Sequence, residues 1–566
     1  MIPAPSPWAL LALWLSIPLT QIWLHLSCAT PPALGGLILE AILFAWLGLV
    51  LPRLDRWPTL SHPVWIALVP LGSLALEATP RSLAGLPYLA GLWLGGIVPI
   101  RALLGRIRLP WWAYLPVIPL LVIGAHIVRS LGSDRSNEEA VIDRLSRDLR
   151  GPLVWASPLP RPAAGDQRPP VVVISVDTLR AEDARQMETW ARLSARGAWW
   201  RSAQSTSSWT LPATASLLTG LPSSGHGAGC LDTGSCQGLA DEVQTLPVAL
   251  SHEGYPTVGI VTNPWIGRRN GFERGFHRFL DLGTDRPVEL LLTGSALLGP
   301  HPQDAEVGVG LALDALRSLG PGPFLLWLHL IDPHLPYLHA DDPALRSLTA
   351  ETLRNANLVS AERRDQIRSA YRGEIAYTDH QLLRLLDALE ARGFFERGYL
   401  VFTSDHGEEF WEHGGIEHGH THHPEVVEVP LVVVGPDVEA GARPGTASLV
   451  DVVTTLAAAL RLPLETAGLD LRQPIPPDRI ARLEGNLIHR AVCSAVDAEL
   501  RVIVSDCGAP YAQTSAYDRR LDPGALRPQD RPDHPVWRAA QAIEAPSPRG
   551  QTWQARDALR ALGYVD

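Results

Sequence analysis

The chain contains no lysine, and all 48 of its basic residues are arginine. No amine is therefore available as a general base, a Schiff-base former or an ammonium clamp on an anion. Net positive charge is also lacking, since the formal balance is -11. A nucleic-acid binder needs basic surface to set against phosphates, so that class of partner is excluded. Cysteine is sparse, with five in 566 residues. Cys230 and Cys236 are close in a Gly-rich stretch, and Cys493 and Cys507 are close near the C-terminus. Either pair can form a disulfide in an oxidising compartment or remain two thiols, and spacing does not decide between them.

Long apolar runs are present in number. The mean hydropathy of +0.06 is high for a water-soluble enzyme, and the excess sits in the first quarter of the chain. A helix needs roughly 20 apolar residues to cross a bilayer core. Residues 8–27, 33–51 and 110–128 meet this well, residues 83–100 meet it with Gly and Pro inside, and residues 64–76 are shorter and weaker. The count is about five spans. The first run lacks a basic n-region and an obvious cleavage site, and further spans follow it, so it reads as a span rather than a cleaved signal. Arg53 and Arg56 follow span two, while Arg101, Arg106 and Arg108 follow span four. Basic loops face the cytoplasm. The pattern predicts a multi-pass inner-membrane protein with the bilayer as a partner and the remainder of the chain on the external, periplasmic side. That arrangement needs an odd number of spans, which supports counting the weak third one.

Residues 133–150 are charged and amphipathic, and residues 151–170 are rich in Pro, as a linker would be. From Val171 onward, short apolar runs alternate with longer helical patterns, which predicts an α/β domain with a largely parallel sheet. Three of these runs end in ligand-type residues: 171–176 before Asp177, 324–331 before Asp332 and His334, and 399–404 before Asp405 and His406. Buried parallel strands read as continuous apolar runs, and open α/β sheets bind ligands at the carboxyl ends of their strands. One such Asp is ordinarily a turn or capping residue; three together point to a metal site.

Asp405-His406 is the sharpest element. A carboxylate beside an imidazole suits Zn or Mn, with Ca or Mg as alternatives that prefer oxygen donors. The tract Glu417-His-Gly-His-Thr-His-His423 follows closely, and His418 is the first choice within it for a ligand or anion contact. Residues 211–219 form a short helical pattern with Pro212 in its first turn and Gly220 at its stop. Thr210 then falls at or near the N-cap. Its hydroxyl can cap the helix, or act as a nucleophile beside N–H groups that hold an anion. Both readings can hold together.

These residues carry a family resemblance. Val176-Asp-Thr-Leu-Arg180 resembles the opening metal motif of the sulfatases, and Thr210-x-Pro-x-x-Ala-Ser-Leu-Leu-Thr-Gly220 resembles their nucleophile motif. Gly254-Tyr-x-Thr257, Gly271-Phe-x-Arg-Gly-Phe276, Asp332-Pro-His-x-Pro-Tyr337 and Tyr371-x-Gly-Glu-Ile-x-Tyr-x-Asp379 are similar to intermediate blocks. So are Thr403-Ser-Asp-His-Gly-Glu408 and Val429-Pro-Leu431, and Leu559-x-Ala-Leu-Gly-Tyr-Val565 resembles the closing segment. All stand in family order. The resemblance runs from about Val171 to the end and implies an α/β alkaline-phosphatase/sulfatase-like domain (171–435) with a smaller C-terminal subdomain (436–566); the N-terminal transmembrane α-helical region (1–130) and the juxtamembrane helix and linker (131–170), read from hydropathy and composition, lie outside it.

By the same resemblance, Asp177, Thr210, Asp405 and His406 match divalent-metal ligands and Thr210 the nucleophile. His334 matches a substrate contact. His418 falls where sulfatases carry a Lys and phospho-transferring relatives a His, and Asn263 lies in the block of another sulfatase Lys. Sulfatases make a formylglycine from Cys or Ser in a Cys/Ser-x-Pro-x-Arg motif; here Thr210 and Thr214 occupy those positions. Every departure leans toward phosphoryl transfer. The expectation is a metal-dependent enzyme acting on a phosphate or sulfate ester of a lipid, glycan or envelope polymer, with Asp332, His334 and His418 as candidates for a second metal. A genuine sulfatase without formylglycine and an inactive binding module are the alternatives.

Overall fold

The computed structural model describes residues 159–163, 165–230, 235–283, 304–342, 344–346, 348, 353, 359–485, 491–545, 548–549 and 552–554. The five predicted spans, the helix predicted at 133–150 and the closing segment 559–565 lie outside the described residues. Among the described residues no helix is long and apolar enough to cross a membrane.

Nine strands build the large sheet: β1 (Val171–Val176), β2 (Ala198–Gln204), β3 (Thr257–Val261), β4 (Arg278–Asp281), β5 (Leu325–Leu330), β6 (Tyr399–Ser404), β7 (Glu428–Val429), β8 (Leu431–Val434) and β9 (Gly441–Ser448). Across the sheet the order is β9–β2–β8–β6–β1–β5–β3–β4, with β7 continuing the line of β8 along β2. The run β6–β1–β5–β3–β4 is parallel throughout, as the apolar runs predict, and β8 is antiparallel to both its neighbours.

The central strand β1 is VVVISV, buried along its whole length. Alternate side chains enter opposite cores, because strand side chains alternate with a period of two. Val172, Ile174 and Val176 pack with Leu311 of α3 (Ala305–Ser318) and with Leu382 and Leu385 of α4 (Ala361–Ala391). Val171 and Val173 pack with Leu217 and Leu218 of α2 (Thr210–Thr219) and with Val452 and Val453 of α5 (Val450–Leu460). Helices thus cover both faces. Ser360 Oγ caps α4 by accepting from the Arg363 N–H at 3.2 Å. Asp379 on α4 accepts from the N–H groups of Glu188 and Thr189 at 2.8 and 2.9 Å, closing the N-terminus of α1 (Glu188–Ser194), whose own cap residue Met187 supplies no side-chain bond.

A second sheet has the order β10 (Ala481–Leu483), β11 (Val492–Val496), β12 (Leu500–Ser505), β13 (Gln513–Asp518), all antiparallel. Helix α6 (Pro535–Gln541) closes its small core with Val536 and Ala540 against Val502 and Val504. The disulfide Cys493–Cys507 joins β11 to the end of β12, and a second disulfide joins Cys230 to Cys236. The domain boundary placed at 435/436 from sequence moves: β9 pairs with β2 of the large sheet, and α5 packs beside α2. Hydrogen bonding to β2 keeps that segment in the main domain, and the separate sheet begins only at Ala481.

Arg501 of β12 is buried and fastens the two parts together. Its guanidinium donates to Gln204 Oε1 at 3.0 Å, Glu428 Oε1 at 2.7 Å and the His422 carbonyl at 3.2 Å. Five fixed donors suit an arginine to that task.

Candidate active site

The site lies at the carboxyl ends of β1, β5 and β6, where the chain leaves each strand. Asp177 follows β1 directly, and Thr178 after it adopts φ 54°, a left-handed conformation that a β-branched residue rarely takes. Neighbours hold this turn. The Tyr371 hydroxyl donates to the Thr178 carbonyl at 2.8 Å and accepts from the Arg180 N–H at 3.1 Å, while Ser404 Oγ accepts from the Leu179 N–H at 3.1 Å. The turn thereby aims the Asp177 carboxylate inward. After β6, Gly407 runs so close to the next segment that a Cβ would lie 2.1 Å from the Glu425 carbonyl oxygen. Only glycine lets the Asp405-His406 turn pack there.

Helix α2 begins at Thr210 itself, and its cap residue is Trp209, which makes no side-chain cap bond. The capping role considered for Thr210 is thus corrected: the residue is already helical, so its hydroxyl points away from the first turn. Thr210 Oγ1 lies 3.4 Å from Asp177 Oδ2 and 3.2 Å from His406 Nε2, and it accepts from Asn263 Nδ2 at 3.3 Å. Asp177, Thr210, Asn263, Asp405 and His406 are all buried. His406 Nδ1 donates to the Gly407 carbonyl at 2.9 Å, which leaves Nε2 as the basic nitrogen, 3.4 Å from Asp177 Oδ1 and 3.5 Å from Asp405 Oδ2.

Sequence reasoning passed over His329. It sits inside β5, three residues before Asp332, and its Nε2 lies 3.4 Å from Asp177 Oδ2. Ser175 Oγ contacts its Nδ1 at 2.9 Å and accepts from Trp327 Nε1 at 3.1 Å, which fixes the ring. One atom each of Asp177, His329 and Asp405 falls within a common 4.8 Å. The available signal was a lone imidazole in the otherwise apolar run LLWLHL.

Asp332 departs from the expectation of a second metal ligand beside His334 and His418. Its Oδ1 accepts from the Ala305 N–H at 2.6 Å, so the start of α3 draws it away from those two rings. His334 and His418 do come together, with ring centroids 5.1 Å apart, and His418 lies 4.3 Å from the His406 ring. His334 Nδ1 donates to the Leu335 carbonyl at 2.6 Å, and His418 Nδ1 lies 3.0 Å from Glu408 Oε1. The rest of the His tract does structural work. His420 pairs with Glu409 at 2.8 Å, His422 meets Ser494 Oγ at 2.9 Å, and His423 stacks on His413 at 3.5 Å.

Electrostatics divide the two central carboxylates. Burial opposes ionisation of both. At Asp177 the hydrogen bond from His329 and the electrostatic pull of the surrounding His406, His334 and His329 rings overcome it and hold the carboxyl well below its ordinary range. At Asp405 burial and the facing Asp177 charge push the carboxyl well above it. Burial lowers the His406 pKa and keeps that ring neutral, the state in which imidazole binds metal. Asp177 Oδ1 and Asp405 Oδ2 are buried with no hydrogen-bond partner. Two orphaned carboxylate oxygens facing a basic imidazole nitrogen are donors of the kind that suit a divalent cation, and the mixed O/N chemistry fits Zn or Mn.

The family model described as Sulfatase matches residues 169–462, which include every strand of the large sheet. The chain belongs to the sulfatase family. It is 31% identical over 203 residues to the low-salt glycan biosynthesis sulfotransferase Agl7 of Haloferax volcanii, covering 34% of this chain and 47% of that protein. It is 30% identical over 157 residues to arylsulfatase K of Xenopus laevis, covering 27% of each. The matched stretch thus spans less than half the length of either relative. Among solved structures, the phosphonate monoester hydrolase of Agrobacterium radiobacter shares the fold, with a TM-score of 0.51 at 18% identity, covering 66% of this chain and 93% of that one.

Proposed function

We propose that this sulfatase-family protein is a membrane-anchored, metal-dependent enzyme that cleaves or transfers a phosphate or sulfate ester through a covalent bond to Thr210. The observation that carries the reading is the convergence of one hydroxyl, two carboxylates and an imidazole in a buried pocket, with two carboxylate oxygens left without partners. Asp177, Asp405 and His406 would hold the ion, with His329 as a further donor; once bound, it would polarise the ester and lower the pKa of the Thr210 hydroxyl.

The chain's own groups account for the remainder. Asn263 accepts the Trp265 N–H on its Oδ1 at 2.8 Å, so its amide N–H groups must face Asp177 and Thr210. That orientation fixes the nucleophile before substrate arrives. Thr210 Oγ1 forms a bond to phosphorus or sulfur as the bond to the ester oxygen breaks and that oxygen takes up a proton. Water, or an acceptor hydroxyl, then forms the next bond to the same centre, and Thr210 Oγ1 departs with its hydroxyl restored. His334 and His418 flank His406 and are suited to contacting the ester's oxygens.

The names of relatives favour a sugar substrate, one being a glycan biosynthesis sulfotransferase. The apolar first quarter of the sequence and the Arg-rich loops between its runs support anchoring in the inner membrane with this domain on the external side. Trapping the protein with aryl phosphate and aryl sulfate esters, followed by peptide mass spectrometry, tests the central claim. A phospho- or sulfo-group on the Thr210 peptide is expected; turnover with no covalent adduct at Thr210 overturns it in favour of direct attack by water.

A further inference from the structure

A second cluster of ionisable groups, three buried carboxylates and one exposed imidazole, stands where the loop after β5 meets α3 and α4. It contains Asp304, Asp332, His339 and Glu374, and it takes no part in the chemistry proposed above. Three carboxylates share this space with one imidazole, and among the described residues no arginine is bonded to any of the four. Asp304 is 3% exposed, Asp332 8% and Glu374 1%. Burying carboxylates at this density is costly unless cations or hydrogen bonds compensate.

The hydrogen bonds account for only part of the set. Asp304 Oδ1 accepts from the Tyr377 hydroxyl at 2.6 Å and from the Glu306 N–H at 2.8 Å. Asp332 Oδ1 accepts from the Ala305 N–H at 2.6 Å. Glu374 accepts from the His339 N–H at 2.7 Å on Oε1 and from His339 Nδ1 at 2.5 Å on Oε2. The Tyr377 ring stacks on the imidazole with centroids 3.6 Å apart. His339 Nε2 and Asp304 Oδ2 face each other at 3.0 Å, and one ligand atom each of Asp304, Asp332 and His339 lies within a common 4.8 Å. Asp332 Oδ2 is buried and has no partner at all.

We propose that Asp304, Asp332 and His339 form a second divalent-cation site, with Glu374 orienting the histidine. The outer oxygens of both aspartates are occupied by N–H and O–H donors, so each presents one oxygen to the ion. A carboxylate on the far nitrogen of a ligating histidine fixes its tautomer and raises its basicity, and Glu374 stands in that place. Two carboxylate oxygens and an imidazole nitrogen suit Zn or Mn. The ion would pin the loop that carries His334, two residues after Asp332, to the start of α3 and the middle of α4. It would thus set the position of one wall of the active site without touching the reacting atoms.

The test isolates this site by removing the first one. The full chain carrying Asp405→Ala and His406→Ala, purified in detergent, is dialysed against Zn²⁺ or Mn²⁺, and its metal content is measured. One tightly held equivalent is expected, with a melting temperature that falls on adding a chelator. Adding Asp332→Asn should remove both the equivalent and the chelator effect, because the neutral amide is isosteric and relieves the carboxylate repulsion. Glu374→Gln should weaken binding by about 10–100-fold. Titration of the first-site variant with Co²⁺ should give visible bands from a carboxylate and imidazole environment, a readout that needs no further substitution. Absence of bound metal and of cobalt bands in the first-site variant overturns the proposal and leaves His339 as an imidazolium bridging Asp304 and Glu374. Unchanged metal content after Asp332→Asn overturns it as well. Because Asp405 and His406 are already absent, the result is independent of whether the first site works as proposed.

Discussion

Asn263 and Asp177 share a hydrogen bond of 2.5 Å, from Nδ2 to Oδ2, although they lie 86 residues apart. The Trp265 N–H holds the other end of the Asn263 amide. The asparagine therefore positions both the carboxylate and the Thr210 hydroxyl. Asn263→Ala should reduce kcat about 10–100-fold, the usual effect of losing a group that orients a metal-binding side chain. Asn263→Asp should do worse, since it sets a third carboxylate against Asp177. Steady-state kinetics of both variants, with metal content measured alongside, checks this; equal activity of the alanine and aspartate variants would remove Asn263 from that role.

Thr210→Ala should abolish turnover, by on the order of a thousandfold or more, because the group proposed to form the covalent bond is gone. Stability should change by only about 1 kcal/mol or less, since the hydroxyl does not cap α2 and a typical cap is itself worth about that much. Thr210→Ser should retain part of the activity. Kinetics and urea unfolding of the same preparations separate the two effects.

His406→Ala and Asp405→Ala should each lose metal and activity together. His329→Gln extends the prediction to the residue that the strand concealed: it should weaken metal binding without unfolding β5, because an amide can keep the Ser175 contact. Elemental analysis after dialysis is the measurement, and full metal retention in the His329 variant would leave the ring a structural role only.

Acid should destabilise the protein through His226. Its Nδ1 accepts the Ala228 N–H at 3.0 Å, and its Nε2 lies 3.1 Å from Ser216 Oγ on α2. Burial lowers its pKa to about 3, against an ordinary value of 6.5. The folded state keeps this ring neutral while the unfolded chain takes up a proton below pH 6.5, so stability present above that pH is lost as pH falls toward 3. The loss at pH 5 is about 2 kcal/mol for this group alone. Urea unfolding at pH 7 and pH 5 should show it, and His226→Asn should flatten the slope.

Membrane topology gives the last prediction. Reporters fused after Leu103 and after Leu131 should report opposite sides, cytoplasmic for the first and external for the second, because of the Arg asymmetry between the loops. The same side for both would end the topology argument.

Sequence alone determined the class of fold, since runs such as VVVISV have nowhere to go but a strand covered on both faces. It also singled out Asp177, Thr210, Asp405 and His406, which the structure brings together, because strand ends and helix starts are local features written in apolar period and turn residues. The structure decided what depends on which strands become neighbours. Only the pairing of β1 with β5, which sets Ser175 opposite His329, turns a buried histidine into a neighbour of Asp177. Only the pairing of β9 with β2 moves residues 441–448 into the main sheet. The start of α3 holds Asp332, although only Pro333 separates it from His334 in the chain. Register and helix placement are long-range outcomes of burying both faces of one sheet, so no local pattern records them.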